Sequence, residues 1–400
     1  MGRTLLITND FPPRRGGIEG FAKALADRLA GPDGSGIVVY TATMGLQDAE
    51  TDSSVDYPIN RDRANTLLPS PRVKRAVIAA FQEYDCDSVL FASSVPLGLL
   101  AKPLRAAGAK RIVAITHGHE VWYARLPLAK NLLRLVAKRV DYLTAVSQWT
   151  RREIGKALPA SSHLEQTIAK QEILSPGVDP TVFYPGAGGM AIREQLGLSP
   201  TTPVVVCPAR AIACKGQDKL ITAWPKVIKA VPDAVLVIVG GGNYLPELVA
   251  LANTTALRNP APVIADPIGN TTGDKVIFTD SVPWEKVAAY MDAADVVAMP
   301  SRPRLFGLGP EGYPLVFMEA AAAGKPVIVG RNGGAPEGTL AGVSGFVVDP
   351  FDVGEIASRL IELLANPALA RQMGAAGREW VLAHHTWDQV AAHCAVLLGR

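Results

Sequence analysis

Short apolar runs alternate along this chain with longer stretches in which apolar positions recur every three or four residues. Runs of that kind suit buried parallel strands, and the longer periodicity suits helices packed on them, so the pattern predicts βαβ units. In the first half it predicts strands near 4–8, 37–42, 88–92, 111–116 and 142–146. Helices are expected near 18–30, 72–84, 95–107, 128–139 and 148–157. The stretch Leu174 to Pro185 carries three prolines and a glycine in twelve residues and reads as a linker. Beyond it the alternation restarts, with strands near 203–207, 234–239, 275–278, 296–298, 326–329 and 345–348. A helix near 216–230 contains Pro225, which predicts a kink or break. The stretch 353–398 reads as helical without a strand. Asn253 to Asp274, rich in Pro, Thr and Asn, reads as one long loop.

This organisation implies an α/β protein of two doubly wound domains facing each other across a cleft. The expected division is residues 1–175, a linker over 176–186, a second domain over 187–380, and a C-terminal helix over 381–400. That helix is expected to pack back on the first domain. The length of 400 residues supports two domains, and 48% apolar residues with 19% charged let each bury a core. Disordered and collagen-like chains are excluded. A net charge of +3 is too small to suggest nucleic-acid binding. It is unevenly spread, with 23 basic against 18 acidic residues up to Asp179. No apolar run approaches the roughly 18 residues that span a bilayer, and the short run after Met1 reads as a strand rather than a signal peptide. Cys86, Cys207, Cys214 and Cys394 follow no metal-ligand or disulfide spacing. A soluble, cytoplasmic protein is the expectation.

Open parallel sheets bind ligands at the carboxyl ends of their strands, so candidate chemistry is sought there. Gly16-Gly17 opens a helix after the first strand. Glycines there either admit an anionic phosphate to the helix N-terminus or merely satisfy a turn. Thr116-His117-Gly118-His119-Glu120 follows another strand; it suits polar contact with a substrate better than metal binding, since no third clustered ligand is evident. Arg210 and Lys215, five apart on one strand exit, can converge on a diphosphate. Gly240-Gly241-Gly242 lacks the third glycine of a dinucleotide fingerprint, position 245 being Leu. A glycine-rich loop precedes Glu311, and Pro314 suits the first turn of a helix carrying Glu319. These carboxylates can address two parts of one ligand, and an unpaired Glu319 in an alanine-rich helix would be costly. Asp85-Cys86-Asp87 has the spelling of a metal-binding pair but lies before its strand, so it reads as a turn.

Arg210 with Lys215-Gly216, Glu311 with Glu319, Gly333-Gly334-Ala335-Pro336-Glu337 and the early Gly16-Gly17 loop come in the order of the retaining glycosyltransferases of family 4, which have the GT-B fold. The resemblance spans nearly the whole chain and includes the tail, Met373-Gly-Ala-Ala-Gly-Arg378 and Thr386-Trp387. Thr8-Asn-Asp-Phe-Pro-Pro-Arg14, the His117 motif and Lys215-Gly-Gln-Asp218 most resemble the actinobacterial phosphatidylinositol-mannoside mannosyltransferases, which use GDP-mannose. The resemblance implies that Arg210 and Lys215 hold the donor diphosphate, Glu311 contacts the sugar near C3 and C4, and Glu319 binds the ribose. It further implies that Gly16 and Gly17 face the β-phosphate and that His117 contacts the donor sugar, with His119 the second choice. Val282 and Trp284, in Asp280-Ser-Val-Pro-Trp284, would frame the base. Transfer would retain configuration by same-face attack, with no metal and no cofactor beyond the nucleotide-sugar substrate.

The acceptor is either a lipid or a small molecule. Lys130, Arg134 and Lys138 recur beside Leu132, Leu133, Leu135 and Val136. Either that helix docks peripherally on anionic lipid at the inner face of the plasma membrane, or it is a solvated face whose leucines point inward. Arg61, Arg63, Arg72, Lys74 and Arg75 add to the basic excess. Competing classes are a family 4 enzyme using a UDP-sugar in natural-product synthesis, a nucleotide-sugar epimerase of the same fold, and a non-catalytic nucleotide-sugar binder.

Overall fold

The computed structural model of the protein describes residues 2–14, 16–158, 169–255, 275–303 and 310–400. The chain forms two compact units. One comprises the residues up to Gly177 together with Trp387–Arg400, and the other comprises Val178–Thr386.

The first unit is built on β1 (Arg3–Thr8), β2 (Ile37–Ala42), β3 (Ile59–Asp62), β4 (Cys86–Phe91), β5 (Arg111–Thr116), β6 (Tyr142–Ala145) and β7 (Lys170–Ile173). They pair in parallel in the order β3-β2-β1-β4-β5-β6-β7, so the order reverses direction between β1 and β4. The helices are α1 (Gly17–Leu29), α2 (Asp48–Ser53), α3 (Pro71–Glu83), α4 (Ala101–Ala106), α5 (Val121–Arg125), α6 (Lys130–Ala137) and α7 (Gln148–Gly155). β3 and β7 have no counterpart in the apolar pattern. Both are edge strands, Ile-Asn-Arg-Asp and Lys-Gln-Glu-Ile, most of whose side chains stay partly exposed. An edge strand pairs on one side only and needs no apolar run.

The second unit contains α8 (Gly189–Gln195), β8 (Val204–Pro208), α9 (Gln217–Ala230), β9 (Val235–Val239), α10 (Leu245–Thr254), β10 (Val276–Phe278), α11 (Trp284–Ala293), β11 (Val296–Met299), α12 (Leu315–Ala322), β12 (Val327–Gly330), β13 (Gly345–Val348), α13 (Val353–Leu364) and α14 (Pro367–His384). Its parallel sheet runs β10-β9-β8-β11-β12-β13, with the switch between β8 and β11. β9 is buried at every position, as a strand covered on both faces requires. The last helix, α15 (Trp387–Leu398), belongs to the first unit and packs on α1.

Of the kink or break expected at Pro225, the break does not occur: α9 runs through it as one helix. Proline removes one backbone donor, but Leu220, Ile221, Ala223, Trp224 and Val227 are all fully buried around it. Burying a side chain of this kind contributes about 1.5–3 kcal/mol each, enough to override the local penalty of about 3 kcal/mol. Asn253 and Thr254, expected in a loop, close α10, and residues 256–274 of that loop lie outside the described residues. The four cysteines are free and buried.

Candidate active site

The second unit's switch point sets its chemistry. β8 ends at Pro208, and the chain turns through Arg210 and a 3-10 turn, Ala213–Lys215, into α9. Gly216 makes this turn possible. Its φ is 81°, and a Cβ there would stand 2.1 Å from the Pro300 carbonyl oxygen at the β11 exit. The buried Gln217 then reaches back, its Nε2 donating to the carbonyls of Ala209 (3.2 Å) and Arg210 (3.0 Å). Arg302 ties the neighbouring exit to the same turn. Its backbone N–H donates to the Cys214 carbonyl (2.8 Å), and its guanidinium pairs with Asp218 at 2.7 Å. Burial pushes the neighbouring Cys207 thiol up to about 12.

Lys215 and Glu311 meet: Nζ donates to Oε1 at 2.5 Å, with both side chains less than a fifth exposed. Glu311 is held from behind by Gly333-Gly334. The Gly334 N–H donates to the Glu311 carbonyl (2.9 Å), and Gly333, at φ 59°, sits where a Cβ would lie 2.2 Å from that oxygen. Arg210, on the same exit as Lys215, is exposed. Pro314 stands immediately before α12 rather than within its first turn.

Glu319 lies half-buried on α12 among Phe317, Met318, Ala320 and Ala321. Its side chain has no partner among the described residues, and burial raises its carboxyl to about 7. The tail glycines place this helix. A Cβ on Gly374 of α14 would lie 2.0 Å from the Gly324 carbonyl oxygen, just past α12, and Arg378 donates to the Ala322 carbonyl.

The triglycine stretch is a packing device. A Cβ on Gly240 or Gly242 would strike the carbonyls of Ala209 or Ala211, and the Ala211 N–H donates to the Gly241 carbonyl (2.9 Å). Gly240 also donates to Asp280 (2.9 Å), a non-glycine residue at φ 54°. The β10 exit carrying Val282 and Trp284 is thereby fastened beside the Arg210 loop. Trp284 is exposed and meets Phe183 edge-on.

In the first unit, Gly17 opens α1 and Gly16 precedes it in extended conformation. A Cβ on Gly17 would meet no atom within 4 Å, so packing does not demand glycine there. The preceding loop is strapped from the β3 side. Arg61 donates to the Pro12 carbonyl (2.7 Å) and to Asp52 (2.7 Å), while Asn9 exchanges bonds with the Leu67 backbone. At the β5 exit, His117 Nε2 lies 2.5 Å from the Ala92 carbonyl, which assigns the ring proton to Nε2. Burial keeps this imidazole below its usual pKa. Phe21 meets it edge-on, and His119 stacks parallel to it at 6.3 Å.

Two of the basic residues read as part of a surface excess are engaged instead. Arg72 forms a two-pronged pair with Asp62, both bonds 2.8 Å, and the Arg61 side chain is only 11% exposed. The polar edge strand β3 supplies Asp62 to Arg72, and α2 supplies Asp48 and Asp52 to Arg61. Arg63, Lys74 and Arg75 are exposed. On α6, Leu133 and Val136 point inward, Leu135 is exposed, and Arg134 donates to the Ala157 carbonyl (2.6 Å). Asp85-Cys86-Asp87 straddles the start of β4, with Asp85 at φ 49° in a turn.

Gln217, Arg302 and Asn332 were not singled out by the sequence. Asn332, at the β12 exit, is 3% exposed, and neither amide atom has a partner among the described residues. Gln217 and Asn332 stand beside glycines at strand exits, whereas Arg302, between Ser301 and Pro303, carries no such signal. No cluster of three or more His, Cys, Asp or Glu among the described residues is placed to hold a metal ion.

Residues 15–182 match the family model described as Glycosyltransferase Family 4, and residues 202–366 match Glycosyl transferases group 1. Over its full length the chain is 40% identical to the GDP-mannose-dependent alpha-(1-6)-phosphatidylinositol monomannoside mannosyltransferase of Mycobacterium tuberculosis, covering 98% of it. It is 38% identical to the monoacylated-substrate counterpart of Corynebacterium glutamicum, over 96% of this chain and 95% of that one. Among solved structures, a glycosyltransferase from Rickettsia africae superposes with a TM-score of 0.77 at 17% identity, covering 99% of this chain and 98% of that one. Anabaena HepE in complex with UDP superposes at 0.76 and 20%, covering 99% of each. These likenesses establish the two-domain GT-B architecture.

Proposed function

This chain belongs to glycosyltransferase family 4, and we propose that it transfers mannose from GDP-mannose to a hydroxyl of a phosphatidylinositol-mannoside lipid, with retention of configuration. The observation that carries the reading is the Lys215–Glu311 pair at the switch of the second sheet, with Arg210 on the same strand exit. The names of the relatives supply the donor and the acceptor class.

In this reading Arg210 and Lys215 face the donor diphosphate and Glu311 faces the sugar hydroxyls. Glu319 takes the ribose, and the Val282–Trp284 segment takes the base. Gly16, Gly17 and His117 keep the roles that the family pattern gives them. The bond from the anomeric carbon to the diphosphate breaks, and the acceptor oxygen bonds to that carbon on the same face. The acceptor proton passes to the departing diphosphate oxygen, which leaves as GDP. Lys215, held by Glu311, and the exposed Arg210 stabilise the charge that develops there, the task a metal performs in other transferases. Membrane contact fits the α5–α6 segment, where Leu126, Leu128 and Leu135 are exposed beside Lys130 and Lys138. No helix among the described residues is long and apolar enough to cross a membrane.

The test is transfer from GDP-mannose to phosphatidylinositol-monomannoside vesicles, with soluble inositol as a parallel acceptor, UDP-glucose as a parallel donor, and EDTA present or absent. EDTA-indifferent mannosylation of the lipid is expected. Turnover of UDP-glucose alone, or of GDP-mannose without any acceptor, would discard it.

A further inference from the structure

One residue of the His117 motif has no part in the mechanism above: Glu120. Its side chain is completely buried, yet among the described residues no lysine or arginine pairs with it. A carboxylate so placed is costly unless donors reach it. Gly118, at φ 101°, folds the chain back so that Glu120 Oε2 accepts the His117 N–H at 2.8 Å. Oε1 accepts from the buried Ser94 hydroxyl at 3.4 Å and lies 3.5 Å from His119 Nε2. Ser94 itself donates from its backbone to Ile115 (2.8 Å), and Ala92, at the same β4 exit, takes the His117 ring proton. One buried carboxylate therefore joins the exits of β4 and β5 and fixes the backbone of the turn that presents both imidazoles.

The geometry points to Glu120 as a positioning residue for His117: its acceptor oxygen holds the turn so that the ring donates from Nε2 and presents Nδ1 as the free acceptor. This rests on the reading that His117 takes part in transfer. Length, not charge, is what the role requires. Gln keeps an oxygen at the same reach, whereas Asp is one methylene short of the His117 N–H.

The experiment compares E120Q, E120D, E120A and H117A for kcat and KM with GDP-mannose and phosphatidylinositol-monomannoside vesicles. In parallel, nitrogen NMR of histidine-labelled protein reads the His117 tautomer without needing turnover. E120D and E120A are expected to lose kcat by about 30- to 100-fold, the scale of an ångström-level misplacement, with KM for GDP-mannose within about threefold. E120Q is expected to restore most of kcat and the Nε2–H signature. Wild-type kcat and an unchanged His117 signature in E120D would overturn the assignment, whether or not E120A folds. Equal losses in E120Q and E120D would overturn it too. If H117A alone turned over normally, the role of His117 would fail, while the NMR signature would still decide that of Glu120.

Discussion

The strand exits of the two units are built on opposite principles. In the second unit the exits of β8 and β11 carry charges that meet each other: Lys215 with Glu311, and Arg302 with Asp218. In the first unit the exits of β4 and β5 are joined through backbone groups and one buried carboxylate that no lysine or arginine among the described residues pairs with. The charges there stand farther out, where Arg61 straps the β1 exit to Asp52 and Asp48. On the proposed reading the second unit receives the diphosphate and so needs cations held in place but not consumed, which a carboxylate partner does for Lys215. A region that orients the neutral His117 imidazole needs fixed geometry rather than charge.

Four substitutions test that contrast. The largest effect is expected from Lys215→Ala, which should lower kcat by about 10²–10³-fold, as loss of one transition-state charge contact does; steady-state kinetics decide. Glu311→Gln should cost about 10- to 100-fold in transfer, yet it frees Lys215 and should tighten GDP binding severalfold in calorimetry. Weaker GDP binding there would mean that Glu311 and Lys215 do not compete. Arg61→Ala should destabilise the first unit by about 2–4 kcal/mol, read by denaturant unfolding; unchanged stability would show that the strap from Arg61 to Pro12 and Asp52 bears no load.

The smallest effect is a pH dependence. Burial raises the Glu319 carboxyl to about 7 in the folded chain, from the ordinary 4.5 of a solvated glutamate. The folded state therefore binds more protons than the unfolded one between those values, and stability falls as pH rises through that window. Glu319→Gln should remove the fall, leaving a melting point a few degrees above the wild type at pH 8 and little different near pH 4.5. On the proposed reading that Glu319 takes the ribose, the wild type should also bind GDP more tightly at pH 8 than at pH 6, because an ionised carboxylate would accept from ribose hydroxyls. The variant should lose that slope.

Much of this was legible in the residues. The buried strands announced themselves as apolar runs, and Arg210, Lys215, Glu311 and Glu319 stood out as charges beside glycines at strand exits. Gly333-Gly334 was visible as a motif, but its reason was not: the turn supports the Glu311 backbone. β3 and β7 were invisible because polar edge strands carry no apolar signature. Pro225 does not break α9 because the burial around it offsets the local penalty, which no single residue of the sequence displays.

The order of elements, the family and the residue types at the strand exits belong to the sequence, since periodicity and spacing are local properties of a chain. Which charges remain available was decided only by tertiary structure. Arg61 and Arg72 look like Arg63 in the sequence, yet two are consumed by carboxylates on neighbouring elements and one is not. Glu120 and Glu319 are likewise both plain glutamates. Their difference lies in the donors that folding brings to one and withholds from the other.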